Sequence, residues 1–401
     1  MRLETVVVVG ASLAGLRAVE ALRSHGYEGR LVWIGAEREL PYDRPPLSKE
    51  ILRGEWNRER TALRKDASYA ELRVDLRLGV RAESLDLRER AVVLAGGERV
   101  RFDGLAVATG AAPRTLPGTP PLEGIFVLRT LEDALAIRRA LEKQPRVAVV
   151  GAGFIGAEVA ASARSRGLDV AMIDVLDQPM ARALDPEMGA LCAALHRDHG
   201  VELRLGAGVA RFEGAGRVEA LVLTDGARVA ADLVVVGIGV APETGWLTGS
   251  GLALADGVVC DATLAASAPG VVAAGDVARW RHPAYVEPIR VEHWTHAVES
   301  ADAAARRLLA GEGEVAPFAP VPFVWSDQYD AKLQIAGSVQ GGDAVAIVHG
   351  SLAERRFLAL YGSRGRLAGA FAMNRPRQLM AARRWLREGA SFADAVARAE
   401  G

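Results

Sequence analysis

Aliphatic residues in this chain come in short unbroken blocks that stop at glycine, and each block is followed by apolar residues recurring every three or four positions. Residues 5 to 15, Thr-Val-Val-Val-Val-Gly-Ala-Ser-Leu-Ala-Gly, set the pattern, and residues 146 to 156, Arg-Val-Ala-Val-Val-Gly-Ala-Gly-Phe-Ile-Gly, repeat it. A continuous apolar run bounded by glycine predicts a strand buried on both faces. The spacing of Leu16, Val19, Ala21 and Leu22, and of Val159, Ala160 and Ala163, predicts a helix after each run. Second strands are predicted at 30–34 and 169–173. Two such strand-helix-strand units imply two nucleotide-binding domains of doubly wound α/β type.

The intervening pattern fits that division. Residues 105–118 read as a strand ending in a Thr-Gly turn and a Pro-rich linker, and 232–242 repeat a strand and turn. Residues 270–276 predict a strand ending at Asp276, followed by a helix from about Ala297 to Leu309. The stretch Pro317 to Pro322 opens a third part, with strands predicted at 333–336, 344–348 and 357–361 and a helix from Pro376 to Leu386.

Composition narrows the class. The chain has 401 residues, a formal net charge of -1, and is 50% hydrophobic and 25% charged, as in a globular protein of two or three domains. The near-neutral charge gives no reason to expect nucleic acid, and no apolar run is long enough to span a membrane. Cys192 and Cys260 are too far apart for a redox pair, a zinc cluster or a disulfide scaffold, so no metal is expected and a cytoplasmic location is. Without a secretory pattern at the N-terminus, nothing points elsewhere. Only four lysines stand against 45 arginines, so a lysine inside a motif calls for a reason.

The candidate chemistry lies at the glycine turns. Glycines let a backbone approach a pyrophosphate seated at a helix N-terminus. The first copy, Gly10-x-Ser12-x-Ala14-Gly15, has serine at the middle position, whereas Gly151-x-Gly153-x-x-Gly156 is complete. Asp174, at the end of the second strand of its unit, suits a ribose 2′-hydroxyl and disfavours a 2′-phosphate, which predicts NADH over NADPH. The equivalent acid in the first unit is Glu37. The segment Leu40-Pro-Tyr-Asp-Arg44-Pro45-Pro46-Leu47-Ser48-Lys49 predicts a rigid turn before a helix capped by Ser48.

Pro-Tyr-Asp-Arg-Pro-Pro-Leu-Ser-Lys, Ala108-Thr109-Gly110, Gly275-Asp276, Glu292-His293-Trp294 and Trp325-Ser326-Asp327-Gln328-Tyr329 occur here in one order. Together they resemble the FAD-dependent NADH:ferredoxin reductases that serve bacterial haem-thiolate monooxygenases and aromatic-ring dioxygenases. The resemblance implies a glutathione-reductase-like α/β fold: two Rossmann-like dinucleotide-binding domains plus a C-terminal α+β domain. It implies an FAD domain over 1–110 and 237–316, an NADH domain over 111–236 and a C-terminal domain over 317–401. Gly10, Ser12, Ala14, Gly15, Glu37, Arg44, Pro45, Lys49, Ala82, Ala108, Thr109, Gly110, Arg129, Gly275, Asp276 and Trp294 would bind FAD. Gly151, Gly153, Ile155, Gly156, Asp174 and Gly239 would bind NADH. Lys49 and Glu158 would pair beside the flavin as the catalytic residues.

The implied partner is a small iron-sulfur ferredoxin, met transiently by a monomer or weak dimer. Residues 351–401 carry ten arginines against four acids, which predicts a basic docking face with Arg383 and Arg384 foremost. Two alternatives stay open: an NADH-binding flavoprotein sensor resembling apoptosis-inducing factor, and an NADH oxidase or peroxidase, although the latter needs a redox cysteine that residues 40–50 lack.

Overall fold

The computed structural model describes residues 3–311 and 313–400. The chain divides into two compact units, one drawing on residues up to 43, 62–112 and 241–322, the other on 44–61, 113–240 and 323 onward.

In unit 1 the buried run Thr5–Val9 is the centre of a five-stranded parallel sheet, ordered Val271–Ala273, Gly104–Val107, Thr5–Val9, Arg30–Gly35, Asp75–Leu78. Val6, Val7 and Val8 are wholly buried, as a strand covered on both faces demands. Helix Leu13–Ser24 packs against helix Trp294–Ala310, which begins three residues before the predicted start. A small antiparallel sheet, Ala82–Asp86, Ala91–Leu94 and Arg99–Arg101, completes the same core.

Unit 2 repeats the scheme with the parallel order Glu202–Leu205, Val170–Asp174, Val147–Val150, Leu233–Val236, Ile125–Val127. Residues from 323 onward add a five-stranded antiparallel sheet, ordered Phe323–Gln328, Ala331–Gly337, Arg366–Met373, Arg356–Ser363, Ala344–Ser351, with helices Pro376–Glu388 and Phe392–Glu400. The sequence pattern missed Phe323–Gln328, whose inward positions include polar residues, and Arg366–Met373, where alanine and glycine blur the alternation. Residues 44–61, which the pattern placed in 1–110, group with unit 2 because their short helical turns pack on helices Leu131–Leu141 and Phe154–Ser165.

Candidate functional site

Both glycine turns are built the same way. In unit 1, Gly10 follows the strand at φ +115°, and its N–H donates to Ile34 O at 2.8 Å. A Cβ at Gly10 would lie 2.1 Å from Ala108 O, and one at Gly15 would lie 1.8 Å from Gly10 O. Glycine is thus required at both positions by the close approach of backbone to backbone. The Trp33 indole donates to Gly10 O at 2.9 Å and fixes the turn from beneath. Ala14 is buried in the first turn of the helix, and a Cβ at Gly275 would approach its methyl to 2.9 Å, so the Gly275–Val277 turn carrying Asp276 closes against that helix.

The other expected unit 1 residues gather at the same ends of the strands. Thr109 donates its hydroxyl to Glu243 O at 2.8 Å, and Gly110 takes a positive φ of +68°. Glu37 accepts a short hydrogen bond from the Tyr42 hydroxyl, and its carbonyl accepts the Gly79 N–H. Ala82 follows two residues after Val80, whose N–H donates to Gly35 O. The Trp294 indole donates to Asp43 Oδ1 at 2.8 Å. His293 caps the same helix end; burial holds it neutral, its pKa down at about 4, and its Nδ1 is a buried polar atom without a protein partner.

In unit 2, Gly151 takes φ +106°, its N–H donates to Ile173 O at 2.7 Å, and a Cβ there would lie 2.3 Å from Gly237 O. A Cβ at Gly156 would lie 1.9 Å from Gly151 O. Asp174 ends its strand; one carboxylate oxygen accepts the Ala152 N–H at 2.6 Å and the other the Leu176 N–H at 2.9 Å. A carboxylate has about four lone-pair sites, so these two bonds orient Asp174 and leave it able to accept more. Ile155 and Val175 are exposed although apolar, and Gly239 adopts φ +99° with open space beside it.

The segment from Arg44 gathers the charged residues. Arg44 donates to Arg129 O, and Pro45 opens a 3-10 turn, Pro45–Ser48. Helix Glu50–Arg53 follows with Lys49 as its N-cap, so Ser48 is not the predicted cap. Its hydroxyl is directed elsewhere, donating to Glu158 Oε2 at 2.5 Å, because a buried carboxylate on helix Phe154–Ser165 competes for it. Lys49 Nζ lies 3.1 Å from the same oxygen, and Ser326 donates to Oε1 at 2.8 Å. Lys49 and Glu158 are 5% and 4% exposed, which excludes a solvated surface pair. Removing one member would strand a buried charge at a cost of about 3–5 kcal/mol.

The residues present fit dinucleotides on their own chemistry. Neither helix Leu13–Ser24 nor helix Phe154–Ser165 has an acid in its first turn or a side-chain cap, so their first N–H groups suit an anion. Open space lies in front of Gly153. Thiol chemistry is disfavoured: Cys192 and Cys260 are free and buried, with burial pushing both thiols up to about 12. The arginine pair divides, since Arg384 is exposed whereas Arg383 is buried with its guanidinium over the Phe323 ring at 5.1 Å. Arg383 is therefore a packing residue, which helical spacing on a face toward the sheet explains.

Residues 4–301 match the pyridine nucleotide-disulphide oxidoreductase family, and residues 323–400 match the reductase C-terminal domain. The chain is 37% identical to rhodocoxin reductase of Rhodococcus erythropolis, covering 95% of this chain and 89% of that one. It is 38% identical to the anthranilate 1,2-dioxygenase system ferredoxin--NAD(+) reductase component of Burkholderia cepacia, covering 97% and 96%. Among solved structures, the covalent putidaredoxin reductase-putidaredoxin complex matches with a TM-score of 0.92 and 33% identity, covering 96% of this chain and 93% of that chain.

Proposed function

We propose, for a chain that belongs to the pyridine nucleotide-disulphide oxidoreductase family and stands with the ferredoxin reductases of oxygenase systems, that unit 1 holds FAD, residues 113–240 hold NADH and residues 323–400 receive a ferredoxin. The chain is an FAD-dependent ferredoxin–NAD reductase. Bound FAD supplies the chemistry, accepting a hydride from NADH and passing electrons on singly. The protein's task is placement and electrostatics.

Gly10, Ser12, Ala14 and Gly15 would offer backbone N–H groups to the FAD pyrophosphate, while Glu37, Ala82, Thr109, Asp276 and Trp294 would hold the rest of that cofactor. Gly151, Gly153, Ile155, Gly156 and Gly239 take the NADH pyrophosphate and its flanks, and Asp174 takes the ribose. Lys49 and Glu158 would serve flavin reduction, since a charge fixed in a dry setting acts more strongly than in water. The exposed arginines of the C-terminal part, Arg356, Arg364, Arg366, Arg377, Arg384, Arg387 and Arg398, steer an acidic ferredoxin. The buried thiols accord with a reducing, cytoplasmic setting. Among the described residues, no helix is long and apolar enough to cross a membrane.

The doubled turn carries this reading: two glycine cradles of one geometry, each before a helix with no acid in its first turn. Anaerobic titration tests it. The purified protein should be yellow with one FAD per chain, and NADH should reduce it roughly tenfold or more better than NADPH, since a 2′-phosphate would bring like charge against Asp174. Asp174→Asn should narrow that ratio. An unchanged ratio would remove Asp174 from the ribose site.

A further inference from the structure

The strand Phe323–Gln328 turns two polar residues inward: Ser326 and Gln328 are fully buried, beside a core of Leu333, Phe357 and Phe371. Such groups destabilise a core unless partnered. Their partners form a line. Ser326 Oγ donates to Glu158 Oε1 at 2.8 Å, and Gln328 Nε2 donates to Ser326 Oγ at 3.1 Å. Beyond Gln328 lies His196, wholly buried in the last turn of helix Pro186–Asp198, whose Nδ1 is 2.8 Å from the Tyr329 hydroxyl. Tyr329 in turn stacks on His199, with ring centroids 3.7 Å apart.

Chemistry gives this line a direction. Burial lowers His196 to about 4, with the Gln328 side chain pulling the other way, so the ring is neutral at neutral pH. Burial also raises the Tyr329 hydroxyl, which stays protonated and serves as a donor. If Tyr329 donates to Nδ1, the imidazole proton sits on Nε2. Nε2 and Gln328 Oε1 are two buried atoms of the line without another partner, and the Gln328 side chain favours the proton on the ring. One amide N–H then faces Ser326 while the other meets Met180 Sδ at 3.8 Å, and the Ser326 proton faces Glu158. Along the line one donor of each group points toward the carboxylate, an arrangement in which each bond polarises the next.

We propose that Ser326, Gln328, His196 and Tyr329 are positioning residues, a one-way chain of donors from the C-terminal sheet that fixes the Glu158 carboxylate against Lys49. The C-terminal part thereby serves the NADH half of the reaction as well as the ferredoxin half. The chain is not a proton wire, because the Gln328 amide does not take up and release a proton at working pH. The proposal rests on the reading that the Lys49 and Glu158 pair serves flavin reduction. Besides Ser326, the groups meeting Glu158 are Lys49 and Ser48 from the 44–53 turn; His196, Tyr329, His199 and Asp330 lie further along the line.

The FAD-loaded enzyme tests it by stopped-flow reduction with NADH across pH. Ser326→Ala should slow reduction about three- to tenfold, the range of one ordinary net hydrogen bond, with half-saturation by NADH unchanged. The pH profile of the rate should also differ from wild type, because the carboxylate has lost a donor. Tyr329→Phe should act in the same sense and more weakly. In a Glu158→Gln background, Ser326→Ala should add nothing. A wild-type rate and profile in Ser326→Ala, or an equal loss in the Glu158→Gln background, overturns the network. If Ser326→Ala does not retain FAD, the same two readings on Tyr329→Phe decide. Lys49→Met separates the levels: slow reduction there with unaffected Ser326→Ala refutes the network alone, whereas wild-type reduction by Lys49→Met refutes the role of the pair itself.

Discussion

The two glycine turns differ where they face a ligand and agree where they face the protein. Gly10 and Gly151 have nearly the same φ, +115° and +106°, and a Cβ at the third glycine would fall 1.8 or 1.9 Å from the first glycine's carbonyl. The middle position carries Ser12 in one turn and Gly153 in the other, and at Gly153 a Cβ meets nothing within 4 Å. The flanking support also differs. The Trp33 indole holds the first turn through Gly10 O, while the Asp174 carboxylate holds the second through Ala152 N–H. The outer glycines therefore answer to helix and strand packing, whereas Gly153 has open space beside it.

The sharpest way to break this likeness is to fill an outer position. Gly15→Ala sets a methyl inside the van der Waals radius of backbone, which no rotamer relieves, so the strand and helix must part at a cost above about 3 kcal/mol. It should give protein that melts early and lacks FAD, whereas Gly156→Ala should keep the yellow colour and lose saturation by NADH. Absorbance per chain and thermal melting read both. FAD loss in Gly156→Ala and retention in Gly15→Ala would reverse the assignment of the two turns.

How far the sequence reached follows the same division. The turns, the parallel strands and Lys49 were legible because a continuous apolar run ending in glycine has few other uses, and a lysine is rare in this chain. The role of Ser326 and Gln328 is not legible in the sequence, because Ser326 bonds Glu158, 168 residues away, and Gln328 bonds Ser326, which leaves no local trace. Polar residues at alternate positions of one strand were the available signal. Ser48 was misread as a cap for a related reason: local rules place a hydroxyl before a helix, and a tertiary carboxylate overrode them. Arg383 was taken for surface since its neighbour Arg384 is, although helix geometry turns consecutive residues about 100° apart.

Acid should separate the two units as well. In unit 1, burial lowers His293 and His296 to about 4, and in unit 2 it lowers His196 to about 4. Each binds its proton more weakly folded than unfolded, near 6.5, so its contribution is present above the unfolded value and is lost as pH falls from about 6.5 toward 4. At pH 5 that is about 2 kcal/mol per histidine, before solvent penetration reduces it. With two such groups against one, unit 1 should lose protection first. Hydrogen exchange at pH 7 and pH 5 reads this directly, and equal loss in both units, or earlier loss in unit 2, contradicts it.

The smallest effect belongs to the middle position, and it sharpens the comparison most. Since nothing lies within 4 Å of a Cβ at Gly153, a side chain added there should leave the fold untouched. Gly153→Ser places a Cβ in open space at φ -73°, a conformation open to any residue, so stability should stay within about 0.5 kcal/mol. Its hydroxyl can cap the helix, competing with an anion for the same N–H groups, and the half-saturation for NADH should rise a few-fold, on the scale of one cap near 1 kcal/mol. Thermal melting and NADH saturation separate these outcomes. A fall in melting temperature for Gly153→Ser as large as that of Gly156→Ala would show that the middle position also answers to the packing of helix on strand.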